Sequence, residues 1–360
     1  MTRYAYYRIS FLLLLFFCLT PPVTASAKPA PPAHHELTYA YFPMAVPVAV
    51  LAEILKRDRI LSSNLAKTRT TLRFLPLTKG KEAAALIQQD KIDALCFSDN
   101  PVVESSVNGK LAIVGMVKQS YSAVVAPLGA RMSGLRNKRV GSVQGATSHY
   151  ALLQGLAAIG LSDRDLHLFF MEVNELPDAL LQGKIDAFAA WEPTPSALLA
   201  NHPGRFSQIY RQTSYSYFVL SRRLLERHPA AAHELSAAIL RAVRWMKKDT
   251  ANLALASRWT VDGIASFTGK PPLLSAPDVA RITAQDLLDV PGTPLLNDSG
   301  GGASPLRRLF NFMKAQNQLP PQATWETLRS SLKPEVLRGI AAQPARYHLN
   351  RFDYAAGVMP

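Results

Sequence analysis

Cysteine is nearly absent: Cys18 and Cys96 are the only two in 360 residues. Cys18 falls inside an N-terminal leader, so the processed chain keeps one thiol. That excludes an internal disulfide and any cysteine-rich metal site. Cys96 lies in the apolar run Ile92–Phe97 and reads as a small buried hydrophobe. The His-Glu-x-x-His, Gly-x-Ser-x-Gly and Gly-x-x-x-x-Gly-Lys-Ser/Thr motifs are missing too. No metal, cofactor or catalytic residue is expected. Acidic residues are scarce, 26 against 40 Lys and Arg, for a net charge of +14. Such a balance suits nucleic acid, an anionic membrane or small anions. No zinc finger, helix-turn-helix or aromatic-basic RNA motif accompanies it, so no nucleic-acid role is expected.

The leader is read over residues 1–27. Arg3 and Arg8 precede the apolar core Phe11–Leu19, and Ala25-Ser26-Ala27 is a small-x-small cleavage site. The core is too short for a membrane span. Cleavage after Ala27 and export of a soluble protein are expected. Residues 28–35 (KPAPPAHH) read as a Pro/Ala tether, with His34-His35 taken as solvated rather than metal-binding.

The remainder is long enough for two lobes. Strands are expected at Glu36–Tyr41, Leu72–Leu75 and Ile92–Phe97, with helices at Val46–Lys56 and Glu82–Gln89 between them. Strands alternating with helices indicate a mainly parallel sheet. Lys91-Ile92-Asp93-Ala94 returns as Lys184-Ile185-Asp186-Ala187, each after a short helix. Each copy leads into a loop with a carboxylate and a proline: Asp99, Asn100 and Pro101 in one, Glu192 and Pro193 in the other. Ligands in open α/β sheets sit beyond such strand ends. Ile113–Val117, Tyr121–Ala126 and Ser216–Leu220 read as strands that carry two crossings between lobes. A long helix is expected over Glu234–Trp259, with Leu235, Ile239, Ala242, Trp245 and Met246 buried. Pro291–Pro305 reads as a flexible loop, and no pattern assigns Tyr347–Pro360.

Residues 139–199 are the most informative. Val140–Val143 is a strand, Gln144-Gly145-Ala146-Thr147-Ser148 a small turn, and a helix follows from His149 to Gly160. A turn that opens a helix exposes N–H groups and suits an anion. An ordinary cap at Thr147 or Ser148 is the alternative. Ser148 and His149 are adjacent, so they point about 100° apart and make a poor catalytic dyad.

This turn, Gly160-Leu161, Lys184-Ile185-Asp186-Ala187 and Trp191-Glu192-Pro193 resemble the solute-binding proteins of ABC importers for nitrate, aliphatic sulfonates and taurine. Ala146 stands where a Ser is usual, Phe188 for a Trp and Glu192 for an Asp. The resemblance implies an α/β, two-lobed periplasmic binding fold (type II). Each lobe is then a mainly parallel sheet flanked by helices, with the ligand cleft between them. Lobe one is taken as 36–121 plus 219–330, lobe two as 122–218, and 331–360 as a tail of uncertain structure. The implied function is capture of a small anionic or zwitterionic solute, and its delivery to an inner-membrane permease, by a periplasmic monomer. A sensory binding protein and a thiamine-pyrimidine precursor as solute are the alternatives. The related thiamine-pyrimidine synthases, which are enzymes, are set aside because they are cytosolic and carry a Cys-rich motif.

Candidate contacts are Gln144 to Ser148 and His149, whose ring adds a donor, or a charge if its pKa is raised, unless it only caps a carbonyl. Trp191 offers a flat wall, and the resemblance adds Tyr41 and Phe42. Asp99, Asn100 and Gln119 complete the set with Tyr215 and Tyr217, which share one strand face and enter or miss the cleft together. Glu192 favours a zwitterion if it enters the cleft, and says nothing if it caps a turn.

Overall fold

The computed structural model describes residues 35–298 and 300–358. The expected leader and the tether up to His34 lie outside these residues. The strands are β1 (His35–Tyr41), β2 (Thr70–Pro76), β3 (Ala94–Ser98), β4 (Leu111–Pro127), β5 (Arg139–Ser142), β6 (His167–Phe170), β7 (Ala187–Trp191) and β8 (Phe206–Ser221). Helices α1 (Val48–Leu55) and α2 (Arg59–Lys67) join β1 to β2. Then α3 (Gly80–Gln88) and α4 (Asp99–Ser106) follow β2 and β3, and α5 (Thr147–Ala157), α6 (Leu176–Leu181) and α7 (Thr194–Asn201) follow β5, β6 and β7. After β8 come α8 (Arg222–Arg227), α9 (Pro229–Lys248), α10 (Thr250–Thr268), α11 (Ala276–Thr283), α12 (Pro305–Ala315), α13 (Trp325–Ser330) and α14 (Pro334–Ala341).

The sheet is one continuous surface of eight strands, in the order β2-β1-β3-β8-β4-β7-β5-β6. Strand β1 lies parallel between β2 and β3, and β5 lies parallel between β6 and β7. The long strands β4 and β8 run antiparallel through the centre and pair from Leu111–Ser221 to Pro127–Phe206. The crossings are therefore not separate short strands. Two ribbons carry both halves of an α/β, two-lobed fold.

Alternation along the strands sorts side chains into four cores. Ala94, Cys96, Phe218 and Leu220 face one core with α1, α9 and α14. Leu95, Phe97, Tyr217 and Val219 face a second with Val102, Val103 and Phe310. In the other half, Val124, Ala187 and Ala189 pack on Leu152 and Leu156, while Val125, Phe188 and Ala190 pack on Leu176, Leu180 and Leu198. The repeated Lys-Ile-Asp-Ala closes both halves in one way. The Asp93 carboxylate accepts from Thr38 N–H at 2.9 Å, and the Asp186 carboxylate from Arg139 N–H at 2.8 Å. Each thereby fastens the neighbouring parallel strand.

Three expectations need correction. Asp99 and Asn100 are not in a loop: Ser98 is extended and α4 begins at Asp99. The long helix breaks at Asp249, which is extended and whose carboxylate caps α10 by accepting from Ala251 N–H at 2.8 Å. The C-terminal residues have a place, because Tyr347 and Leu349 are buried in the first core and the Tyr354 ring lies 4.5 Å from Trp245. Arg241, fully enclosed, ties this segment down by donating to Tyr347 O at 3.0 Å and to the Asp58 carboxylate at 2.9 Å. Pro291–Pro305 is held at several points: Pro294 O accepts from Met116 N–H at 3.1 Å, Leu296 is buried in the second core, and the Asp298 carboxylate accepts from Ser304 Oγ at 2.6 Å and Gly300 N–H at 2.8 Å. Among the described residues no helix is long and apolar enough to cross a membrane.

Candidate functional site

The carboxyl ends of β3 and β5 meet where the halves touch. Four polar contacts span this seam: Lys79 to Glu172 at 3.6 Å, Lys81 to Gln144 at 3.2 Å, Thr147 to Asp99 at 3.0 Å and Tyr150 to Glu104 at 3.2 Å. Gly145 makes the turn before α5 possible with φ of +71°, a region that favours glycine. The helix cap is Ala146, which has no polar side chain to offer, so neither Thr147 nor Ser148 is the cap that is the alternative reading of the turn. The Gly145 N–H donates to His149 Nδ1 at 3.3 Å. Burial lowers the His149 pKa, against the option that it is raised. The ring is thus an acceptor for the turn, packed edge-on against Phe170.

An anion does lie at the start of α5, and it is the chain's own. The Asp99 carboxylate accepts from Thr147 Oγ1, Tyr215 N–H and Asn100 N–H, each at 3.0 Å. Burial raises its pKa to about 6, against the pull of these donors.

Behind Asp99 run the crossing strands. Lys118, Ser120 and Ser122 share one face of β4 and pair with Ser216, Ser214 and Gln212. All three β4 residues are buried, yet Lys118 Nζ makes only a long contact to Val46 O, 3.4 Å. Among the described residues no carboxylate pairs with it. Burial lowers its pKa, and the charges of Asp286, Glu192 and Asp99 oppose that fall. Ser120 Oγ lies beside the Asp286 carboxylate but outside hydrogen-bond geometry. Ser122 Oγ, Ser148 Oγ and Asn100 Nδ2 are likewise buried without a partner. Sequence reasoning missed Lys118, Ser120, Ser122 and Asp286. The signal was available: three polar residues at a period of two interrupt an apolar strand buried on both faces.

The other candidates are spread more widely. Trp191 ends β7, half-buried, opposite Ser122. Gln119 pairs with Tyr215 across the crossing strands, and Gln144 is exposed. Phe42 stacks on Phe97, and Tyr41 is held by Lys56, whose ammonium donates to its hydroxyl at 2.7 Å. Tyr215 and Tyr217 do share a face, but that face is the second core. Tyr217 is 1% exposed there, so its ring is not a free contact as expected. Glu192 caps: its carboxylate accepts from Ser196 N–H at 3.2 Å and Gln208 Nε2 at 3.3 Å.

Cys96 is enclosed against Tyr39, and burial pushes its thiol up to about 12. Ser148 Oγ touches no base. Among the described residues no cluster of three or more His, Cys, Asp or Glu is placed to hold a metal ion. Recesses of about 280 Å³ beside Tyr347 and about 610 Å³ beside Lys138 and Arg205 lie away from the seam.

A family model described as the NMT1-like family matches residues 78–261. No curated protein matches by sequence. Solved structures share the fold. The alkanesulfonate-binding protein SsuA from Xanthomonas axonopodis pv. citri, bound to MOPS, is 21% identical with a TM-score of 0.59, over 83% of this chain and 98% of its own. The periplasmic nitrate-binding protein NrtA from Synechocystis PCC 6803 is 12% identical with a TM-score of 0.60, over 87% and 90%. The desulfurization enzyme DSZB is 16% identical with a TM-score of 0.55, over 86% and 99%.

Proposed function

The chain belongs to the NMT1-like family, and from that premise we propose that it is the extracytoplasmic solute-binding protein of an ABC importer. It captures a small anionic or zwitterionic organic solute at the seam and hands it to a membrane permease. In this reading a leader cleaved after Ala27 exports the chain, which works as a monomer. Lobe one is 36–121 plus 219–330 together with the C-terminal segment, and lobe two is 122–218. The solute lies among Asp99, Asn100, Gln119, the 144–149 turn, Trp191 and the crossing strands.

The observation that supports this best is the set of buried polar atoms without partners at the seam: Asn100 Nδ2 and the hydroxyls of Ser120, Ser122 and Ser148. Buried polar groups are nearly always hydrogen-bonded, and each unmet one costs about 1–3 kcal/mol. A polar solute enclosed between the lobes offsets that cost. The seam is also easy to open. Lys79 and Glu172 are both well exposed, and such surface pairs contribute about 0–1 kcal/mol. With β4 and β8 as hinge ribbons, closure around a solute follows.

An enzyme shares the fold, but the nucleophiles here are poorly disposed to react. The one thiol among the described residues is enclosed and hard to ionise, and Ser148 lacks a base. The test is a thermal-shift screen of the mature protein against sulfonates, taurine, nitrate, bicarbonate and pyrimidines. A solute at a thousand times its Kd stabilises by about 4 kcal/mol, a clear rise in Tm. A flat response to the whole panel refutes the reading.

A further inference from the structure

Lys118 and Asp286 are opposite charges that approach the same stretch of β4 without meeting. Lys118 rises from the crossing strand, buried, with one long contact to a backbone carbonyl. Asp286 comes from Ala284–Leu288, the π-helical turn that follows α11 and packs on β4. No ion pair forms at either group among the described residues. Ser120 stands between them on the strand, its hydroxyl enclosed and unpartnered. An unpaired buried ammonium is costly, and a chain that keeps one needs an anion to meet it.

At the usual place for an anion, the first turn of α5, the Asp99 carboxylate already engages the Thr147 hydroxyl. The other nearby carboxylate, Glu192, already accepts one bond at each oxygen, from Ser196 N–H and Gln208 Nε2. The positive charges of Lys118, Arg281 and Arg211 all reach Asp286, but none pairs with it among the described residues, which leaves Lys118 for an incoming acid and Asp286 for an incoming amine. Resting on the solute-capture reading, we infer that the solute is a short zwitterion, its acid on Lys118 and its ammonium on Asp286, with the Ser120 hydroxyl between them. A simple anion satisfies Lys118 but leaves Asp286 facing the added negative charge. A simple cation does the reverse.

The test compares matched probes on the mature protein by titration calorimetry: taurine against ethanesulfonate, and β-alanine against propionate. The wild type is expected to prefer each zwitterion by tenfold or more. Lys118→Met should weaken taurine and ethanesulfonate alike, by thirtyfold or more. Asp286→Asn should weaken taurine by about tenfold and leave ethanesulfonate within threefold, so the preference disappears. A purely structural role for Asp286 moves both probes together and overturns the inference. Lys118→Met also removes an unpaired charge, so its ligand-free Tm should match or exceed the wild type. A marked fall in Tm means Lys118 is a structural partner and overturns the inference without any ligand. Lys118→Gln provides a second folded variant for the same titrations. Wild-type binding of nitrate or a pyrimidine, but of no zwitterion, sinks the inference and leaves solute capture standing. Silence toward every compound sinks both.

Discussion

Asp99→Asn isolates the electrostatics of the seam. Burial raises the Asp99 pKa from 3.8 to about 6 in the folded chain, although three donors point at its carboxylate. The folded state therefore holds this proton more tightly than the unfolded state. The stability it contributes is fully present below pH 3.8 and is lost as pH rises through about 6. Two pH units at about 1.4 kcal/mol each make the loss about 3 kcal/mol by pH 8. Asparagine keeps an acceptor for Tyr215 N–H or Thr147 Oγ1 and cannot ionise. It forfeits about 1 kcal/mol for a weakened hydrogen bond. The variant should be about 2 kcal/mol more stable than wild type at pH 8, and level with it or slightly weaker at pH 4. Urea unfolding of both proteins from pH 4 to 8 measures the difference. Glu104 and Asp286 are also raised by burial, but they titrate in both proteins and cancel. Lys118 and the amino ends of α4 and α5 favour the ionised form. If they win, the difference is flat with pH or the variant is weaker at pH 8, and the reasoning is refuted.

Three further outcomes are expected. Arg241→Met strands the Asp58 carboxylate in the first core and should cost about 3–5 kcal/mol in chemical denaturation, with Asp58→Asn recovering part of it. Gly115→Ala places a Cβ 2.6 Å from both Pro294 O and Leu337 Cδ1, so unfolding should show a loss of about 1–3 kcal/mol. Trp191→Ala should weaken the tightest solute of the thermal-shift panel by about 1–3 kcal/mol while unfolding stays cooperative. Loss of cooperativity with unchanged affinity marks the ring as core.

Fold class was legible because parallel strands buried on both faces leave a strong signal. The strand expected at Ile92–Phe97 is found two residues on, at Ala94–Ser98, each Lys-Ile-Asp-Ala leads into a buried strand, and the stripe Leu235, Ile239, Ala242, Trp245 and Met246 is buried. The break at Asp249 was not legible, because one capping aspartate leaves the apolar period intact on either side. Asp99 misled for a related reason. Ser-Asp-Asn-Pro reads as a loop, yet Pro is tolerated in the first turn of a helix and that is where it stands. The site was half legible. The turn before α5 announced itself through Gly145, but nothing local says that an aspartate almost fifty residues earlier fills it. That contact depends on how the two halves meet, which is not written in either half alone.

The carboxylates at the seam divide the same way. Sequence reasoning gave Glu192 the power to choose between nitrate and a zwitterion, provided it entered the cleft. Both of its oxygens instead accept bonds that hold the start of α7 and Gln208. Its charge still reaches Lys118, while each of its oxygens is already engaged once. Asp99 is engaged by three donors and titrates near pH 6, so it serves the closed seam more than a ligand. Asp286 combines partial burial, no ion pair among the described residues and a place beside the crossing strand. It belongs to a segment with no motif, beyond the end of the family match at residue 261. A carboxylate meets an amine most readily where neither oxygen is already engaged, and by that measure discrimination lies with Asp286 rather than Glu192.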